Sequence, residues 1–232
     1  MYNSQRHLVC RLNITPLFLE FCLTRSMKTV RSFEGSRFSR DSSPRDGSSL
    51  GLLASCAIAA VLALFAFYLS LVASSAPLSV NERLQVQAAI KVLEAKGFSR
   101  EALLLRHTVT YRSTDNWLNS LTKQDNAYAA TNFPFQIITL YPDFYYKAAD
   151  DTERAMVLLH ESQHLQGKDE AGAYGFVWQH REQLGWTQIN YGSTPSYVTI
   201  AEQTRDYAPE LFTCPNRVWN DCTESIAAAK PH

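Results

Sequence analysis

Residues 156–165 read MVLLHESQHL, a stretch that contains the pattern H-E-x-x-H. On an α-helix, residues four positions apart lie on the same face, one turn above the other. His160 and His164 can therefore turn their imidazoles toward one metal ion, with Glu161 beside them. Zinc in a reactive site keeps a coordination position for water, and a neighbouring carboxylate can take a proton from that water. The stretch predicts a Zn²⁺ site with His160 and His164 as ligands and Glu161 as general base.

Chance is a weak explanation of this pattern. From residue frequencies, H-E-x-x-H arises by accident in roughly 1% of chains of this length. The motif also follows an apolar run over residues 155–159, as expected of a buried helix that leads into a site.

Capping signals set the limits of the motif helix. Asp150 suits the N-cap position, and Glu153 stands at the third helical position of a capping box. Gly167 follows the second histidine by three residues and stops the helix. We expect the helix to begin near Asp151 and to end at about Gln166.

A two-histidine site needs a third protein ligand. Gly167 permits a sharp turn, and a second helix predicted from residue 169 or 170 to residue 184 returns acidic side chains toward the metal. Glu170 is our choice, with Asp169 and His180 as the alternatives. The competing interpretation is that Glu170 only complements the positive helix N-terminus, an effect of about 0.3–1 kcal/mol.

The charges are unevenly distributed along the chain. Its 232 residues suit one medium domain with additional segments, and the formal net charge is zero. Residues 1–49 carry eight Arg and Lys against four acids, and their Ser- and Arg-rich composition predicts a basic, largely disordered tail. Met27 offers an alternative start. No basic patch interleaved with aromatic residues indicates a nucleic-acid partner.

Residues 50–73 form an uncharged apolar run of 24 residues, long enough to cross a bilayer as one helix. The positive excess precedes this run, which predicts a cytoplasmic tail and an extracytoplasmic C-terminal part. A buried core helix and a cleaved signal peptide, with small residues at 74–76, are the alternatives. We expect an uncleaved single-pass membrane anchor.

Residues 77–232 predict one α+β domain that is mainly helical. A capping box at Ser79 and Glu82 opens a helix that Gly97 ends. The remaining predicted elements are a short helix over 99–106, a strand over 108–111, a helical stretch over 115–121, a strand over 135–141 and a helix over 197–207.

The five cysteines include no C-x-x-C pair, which argues against a cysteine zinc cluster. Cys214 and Cys222 flank a short loop that a disulfide could close. We expect this pair to be oxidised outside the cytosol and reduced inside it.

Residues 159–174, LHESQHLQGKDEAGAY, resemble the zincin-type zinc metallopeptidases, and within them the small membrane-anchored members with a glutamate third ligand. The resemblance covers roughly residues 135–184 and implies that His160 and His164 bind zinc while Glu161 activates water. The spacing to Glu170 also resembles the extended metzincin pattern, which expects histidine or aspartate there. No methionine follows the motif, so a Met-turn is impossible and the glutamate-ligand group fits better.

The resemblance implies hydrolysis of peptide bonds in a peptide or protein substrate. An edge strand beside such a site can pair with an extended peptide, and we assign this role to residues 135–141. The reaction also needs an oxyanion donor besides zinc. Four tyrosines are candidates that the sequence does not rank: Tyr174, Tyr191, Tyr197 and Tyr207.

Two other functions fit the sequence. One is a non-catalytic, membrane-anchored envelope protein with a structural or vestigial zinc site. The other is a zinc hydrolase that acts on a non-peptide amide or ester.

Overall fold

The computed structural model describes residues 47–121, 127–214 and 221–223. Its first helix, α1 (Gly47–Ala73), contains the segment Leu53–Ala73. By length and composition this is the one segment in the described ranges that could cross a membrane, and only 6% of its most apolar window is buried. Residues 1–46, with most of the predicted tail and the alternative start at Met27, lie outside the described part.

Two helices follow α1 and form one wall of the core. Helix α2 (Val80–Ala95) begins after Ser79, whose hydroxyl accepts from the N–H of Glu82 while the Glu82 carboxylate accepts from the N–H of Ser79. The predicted capping box is therefore confirmed. Helix α3 (Ser99–His107) matches the predicted short helix, and Gly97 between them has φ 86°.

The sheet has three short strands in the order β1-β3-β2: β1 (Thr110–Arg112), β2 (Ala129–Asn132) and β3 (Ile137–Leu140). Strand β1 pairs with β3 in parallel, and β2 pairs with β3 antiparallel. The prediction that residues 135–141 form an edge strand is wrong. All four residues of β3 are buried and both of its sides are paired, so β2 is the edge strand on the other side of β3 from β1.

The predicted helical stretch over 115–121 is confirmed only in part, because a 3₁₀ helix forms at Asn119–Leu121 and the preceding residues are not helical. The side chain of Asn116 accepts hydrogen bonds from the N–H groups of Leu118 and Asn119 at 3.0 Å each. An asparagine side chain that accepts from the N–H groups two and three residues later is an N-cap, so helical geometry starts only after Asn116.

From Pro142 to Tyr207 the chain is mainly helical, and this part contains the motif helix. Its helices are α4 (Pro142–Tyr146), α5 (Asp151–Leu165), α6 (Glu170–Gln179), α7 (Arg181–Leu184), α8 (Gln188–Tyr191) and α9 (Pro195–Tyr207). Helix α5 carries H-E-x-x-H and is buried along most of its length. The predicted helix over 169–184 is interrupted at His180, which separates α6 from α7.

The start of α5 is fixed from two directions. Asp150 caps it as predicted and accepts from the N–H groups of Thr152 and Glu153. Glu153 is fully buried; its carboxylate accepts from the N–H of Ala149 at 2.8 Å and from the hydroxyl of Thr194 at 2.5 Å. The glutamate of the predicted capping box thus joins α5 to the α9 region.

The end of the described chain is tied to α6 and α7. Cys214 and Cys222 form the disulfide that the sequence allowed, with a Cα–Cα distance of 5.4 Å. Asp221 is buried and its Oδ2 accepts from the guanidinium of Arg181 at 2.8 Å and from Nε1 of Trp178 at 2.9 Å.

Replacing Asp221 by alanine should strongly destabilise the fold. The change leaves the buried guanidinium of Arg181 without its counter-charge, which costs about 3–5 kcal/mol of the free energy of unfolding. The control Asp143→Ala removes a solvent-screened ion pair with Lys147 and should cost far less than Asp221→Ala. Chemical unfolding of the full chain in detergent, followed by tryptophan fluorescence, measures both; equal losses would contradict this role of Asp221.

Candidate metal centre

Three donor atoms from α5 and α6 converge on one point. His160 Nε2 and His164 Nε2 are 3.1 Å apart, and each lies close to Glu170 Oε2, at 3.4 and 3.5 Å respectively. Ligands bound to zinc at its usual bond lengths with tetrahedral angles are separated by about 3.3–3.5 Å. The donor triangle therefore has the size of one face of such a tetrahedron, and the residues fit a small divalent cation.

The turn between α5 and α6 brings Glu170 to the histidines. Gly167 has φ 81° and its N–H donates to the carbonyl of His164, while the N–H of Lys168 donates to the carbonyl of Gln163. These two bonds are the Schellman motif, which reverses the chain directly after a helix and needs a left-handed residue. Only two residues then separate Gly167 from Glu170, the first residue of α6.

The two alternative ligands have other roles. Asp169 is the N-cap of α6 and accepts from the N–H of Gly172 at 3.0 Å. His180 lies at the far end of α6, where its ring stacks on Phe176 and its Nδ1 lies 2.8 Å from that residue's carbonyl oxygen. Of the three candidates for the third ligand, the structure brings only Glu170 to His160 and His164.

A hydrogen bond orients one of the histidines. His164 Nδ1 lies 2.9 Å from the carbonyl oxygen of Lys168, so Nδ1 carries the hydrogen and Nε2 presents its lone pair to a metal. The His160 ring is held instead by Tyr174, with ring centroids 4.3 Å apart. Its buried Nδ1 has no hydrogen-bond partner among the residues described.

The cluster favours positive charge at its centre. Burial raises the pKa of Glu170, but hydrogen bonds from His160 and His164 outweigh burial and hold that pKa below its usual range. Burial lowers the pKa of His164, and the contact with Glu170 and the charge of Glu161 outweigh it, raising the pKa to about 9. Without metal the site thus stabilises a proton where a cation would supply the charge.

Glu161 lies next to the triangle and is 5% exposed. Its Oε2 accepts a hydrogen bond from the hydroxyl of Thr131 at 2.6 Å, which fixes the carboxylate against strand β2. Thr131 was not among the site residues predicted from the sequence. It lies 30 positions before Glu161 in a strand of only four residues, so no local pattern connects the two.

The structure separates the four candidate tyrosines into two groups. The hydroxyl of Tyr191 donates to Asp150 at the N-terminal end of α5, about two to three turns before His160. Tyr197 packs against Trp178 and Trp186, away from the donor triangle. These two tyrosines lie outside the site.

Tyr174 and Tyr207 lie beside the donor triangle. Their rings stack at 5.2 Å, and the Tyr174 hydroxyl donates to Gln203 at 2.9 Å. Burial, followed by the charges of Glu170 and Glu161, raises the pKa of Tyr174. Burial and the charge of Glu170 also raise the pKa of Tyr207, so both phenols keep their protons as hydrogen-bond donors.

Comparison with known proteins finds no relative, because no family model, no curated protein and no solved structure matches the chain. The class of protein therefore has to be inferred from the site itself.

Removing one ligand should remove the metal. We expect about one zinc per wild-type chain, and Glu170→Gln should weaken zinc binding by more than about 100-fold, since even an outer-shell partner contributes 10–100-fold. Asp169→Asn is the matched control, because asparagine can still cap α6. Elemental analysis of the full chain in detergent, after dialysis against a chelator, gives the stoichiometry. If Glu170→Gln retained as much zinc as Asp169→Asn and wild type, Glu170 would be excluded as a ligand.

Proposed function

We propose that this chain is a membrane-anchored zinc metallopeptidase of the zincin type. The observation that carries the proposal is the donor triangle with a separate carboxylate beside it. His160, His164 and Glu170 supply three ligands, and Glu161 stands next to them without being one of them. A structural zinc site is normally closed by four protein ligands, whereas a reactive site uses three and keeps a position for water.

Zinc bound at this site would supply a Lewis acid that activates water and polarises the carbonyl of the scissile peptide bond. Glu161 accepts the proton of the attacking water and later delivers it to the leaving amine. The Thr131 hydroxyl holds one oxygen of that carboxylate and leaves the other for the transferred proton. Tyr174, which contacts His160, and Tyr207, which stacks on Tyr174, are the candidate phenolic donors for the oxyanion.

Strand β2 provides a place for an extended substrate. The N–H of Tyr141 donates to the carbonyl of Tyr128, so in this antiparallel pair the alternating residues 128, 130 and 132 bond to β3. The backbone groups of Ala129 and Thr131 consequently point away from β3, toward the unpaired edge. A peptide strand added at this edge would pass directly beside Glu161, because the Thr131 side chain contacts it.

The membrane part of the proposal comes from α1 and the charges before it. An apolar helix of this length with so little of its surface buried suits a lipid environment. The basic excess in residues 1–49 favours a cytoplasmic N-terminus, with the domain at 77–232 outside. The Cys214–Cys222 disulfide supports an oxidising compartment for that domain.

Glu161→Gln should abolish hydrolysis and leave the metal in place. Glutamine keeps the size of the side chain but cannot accept the proton, and general acid–base catalysis contributes about 10²–10⁴-fold. The test compares cleavage of a degenerate peptide library by zinc-loaded wild type, Glu161→Gln and the exposed control Glu202→Gln. Full activity of Glu161→Gln at normal zinc content would contradict the proposal.

Thr131→Val should lower kcat by about tenfold and leave KM and zinc content unchanged. A hydrogen bond from a hydroxyl to a charged carboxylate contributes about 1.5–3 kcal/mol, and the lower end of this range corresponds to about tenfold in rate. Thr131 acts through Glu161 as a positioning residue, so Thr131→Ser, which keeps the hydroxyl, should restore kcat. Steady-state kinetics on one peptide identified from the library decides this. A serine variant as slow as the valine variant would show that the hydroxyl is not the cause.

A further inference from the structure

Trp117 and Phe135 pack on Phe67 near the C-terminal end of α1, and the apolar side chains of Leu121 and Phe133 lie close to them in the sequence. We call these five residues the collar. Three of these side chains remain solvent-facing despite their size: Trp117 is 40% exposed, Leu121 72% and Phe133 57%. Large exposed apolar side chains that cluster in this way mark a surface with a partner.

The collar is packed directly onto α1. Phe67 of α1 contacts both Trp117, edge to face with ring centroids 5.4 Å apart, and Phe135, at 5.1 Å. Nε1 of Trp117 also donates to the hydroxyl of Ser70 at 3.1 Å. The collar is therefore continuous with the surface of the proposed membrane span.

The domain is also fixed at this end of α1 by polar bonds. The Arg112 guanidinium donates to the carbonyl of Ser75 at 2.6 Å and to the carbonyl of Val72, so it caps the last turn of α1. The hydroxyls of Tyr68 and Thr110 are hydrogen-bonded at 2.9 Å. These bonds fix the height of the collar relative to the helix.

That height matches the membrane interface. Ser70 and Phe67 precede Ala73 by three and six residues, or about 4.5 and 9 Å along the helix axis. Apolar faces that rest in a bilayer surface are buried about 5–10 Å into it, and tryptophan prefers this depth. The occupant that fits the collar is accordingly the lipid surface into which α1 itself inserts.

The collar also reaches the metal centre. A Cβ atom placed on Gly167 would lie 3.9 Å from the Phe133 ring, so Phe133 covers the turn that follows His164. Phe133 also follows β2 directly, two residues after Thr131, a distance of about 7 Å along a strand. A substrate strand on the edge of β2 would therefore run past Phe133 toward the bilayer.

We infer that the collar rests in the membrane interface and that the site cleaves membrane-anchored polypeptides within about five residues of the bilayer surface. The substrate part of this inference rests on the proposed peptidase activity. The membrane-contact part does not, and it can be measured without any substrate.

The contact is tested with the full chain in phosphatidylcholine vesicles that contain lipid brominated near the headgroup. The emission of Trp117 is obtained as wild type minus Trp117→Phe, because the other three tryptophans, Trp178, Trp186 and Trp219, are present in both chains and contribute equally to both. Bromine at this depth should lower that difference at least about twofold. An unchanged difference would overturn the inference whatever the activity of the chain.

The substrate class is tested with a degenerate peptide segment joined to an apolar membrane helix in the same vesicles. One version joins the two directly, and the other inserts a flexible spacer of 30 residues, which keeps the local concentration similar but extends about 30 Å from the surface. Mass spectrometry locates the cuts. The directly joined version should be cleaved at least about tenfold faster, with cuts next to the bilayer; equal rates would overturn the substrate class.

A double variant links the two parts. We define the preference as the ratio of the cleavage rate of the directly joined version to that of the version with the spacer. The double variant Trp117→Ser with Leu121→Ser should reduce this preference to below threefold and leave cleavage of free peptides unchanged. The control Ile189→Ser, 88% exposed in α8 near the opposite end of α5, should keep the preference. Preference retained by the double variant would overturn the role of the collar. If wild type cleaves nothing beyond Glu161→Gln, the proposed function fails and the substrate class with it, while quenching still decides the membrane contact.

Discussion

The constraint on which the structure depends is the packing of two histidines and two glutamates against one another: His160 and Glu161 are buried, and His164 and Glu170 are half-buried. A charged side chain in a low-dielectric interior is costly unless an opposite charge or several hydrogen bonds compensate it. The carboxylate of Glu170, on helix α6, lies beside the imidazoles of α5 and compensates their charge. The hydroxyl of Thr131, on the sheet, donates a hydrogen bond to the carboxylate of Glu161. The elements that pack around α5 therefore have to supply both polar partners and apolar cover.

Both ends of α5 are fixed by bonds to other segments, which is what a precise site requires. At the start, Asp150 caps the helix and Glu153 binds Thr194 of the α9 region. At the end, the turn at Gly167 closes against the helix, and the Lys168 carbonyl orients His164. Groups held on a rigid element by further hydrogen bonds keep their geometry better than groups on a loop, so the side chains of His160, His164 and Glu161 are preorganised.

The same rigidity extends to the apolar helix. Arg112, which bonds to the end of α1, belongs to β1. Strand β1 pairs with β3, and β3 pairs with β2, whose Thr131 bonds to Glu161. Hydrogen bonds therefore connect the end of α1 to the candidate metal centre. A small domain joined to its helix in this way cannot turn freely relative to it. In our proposal this is how an anchored enzyme would keep its site at a constant height above the lipid.

The sequence by itself determined the features that depend on neighbours within a few residues. These are the i, i+4 pair of histidines, the caps at Ser79 and Asp150, the glycine stop at 167 and the length of the apolar helix. The fit of Glu170 was also foreseeable, because only five residues lie between it and His164. The tertiary structure decided what joins distant segments: the contact of Thr131 with Glu161, the position of β2 as edge strand, the selection of Tyr174 and Tyr207, and the interruption at His180. Local spacing fixes helices and turns through short-range hydrogen bonds, whereas strand order and cross-chain contacts depend on how all the apolar surfaces pack together.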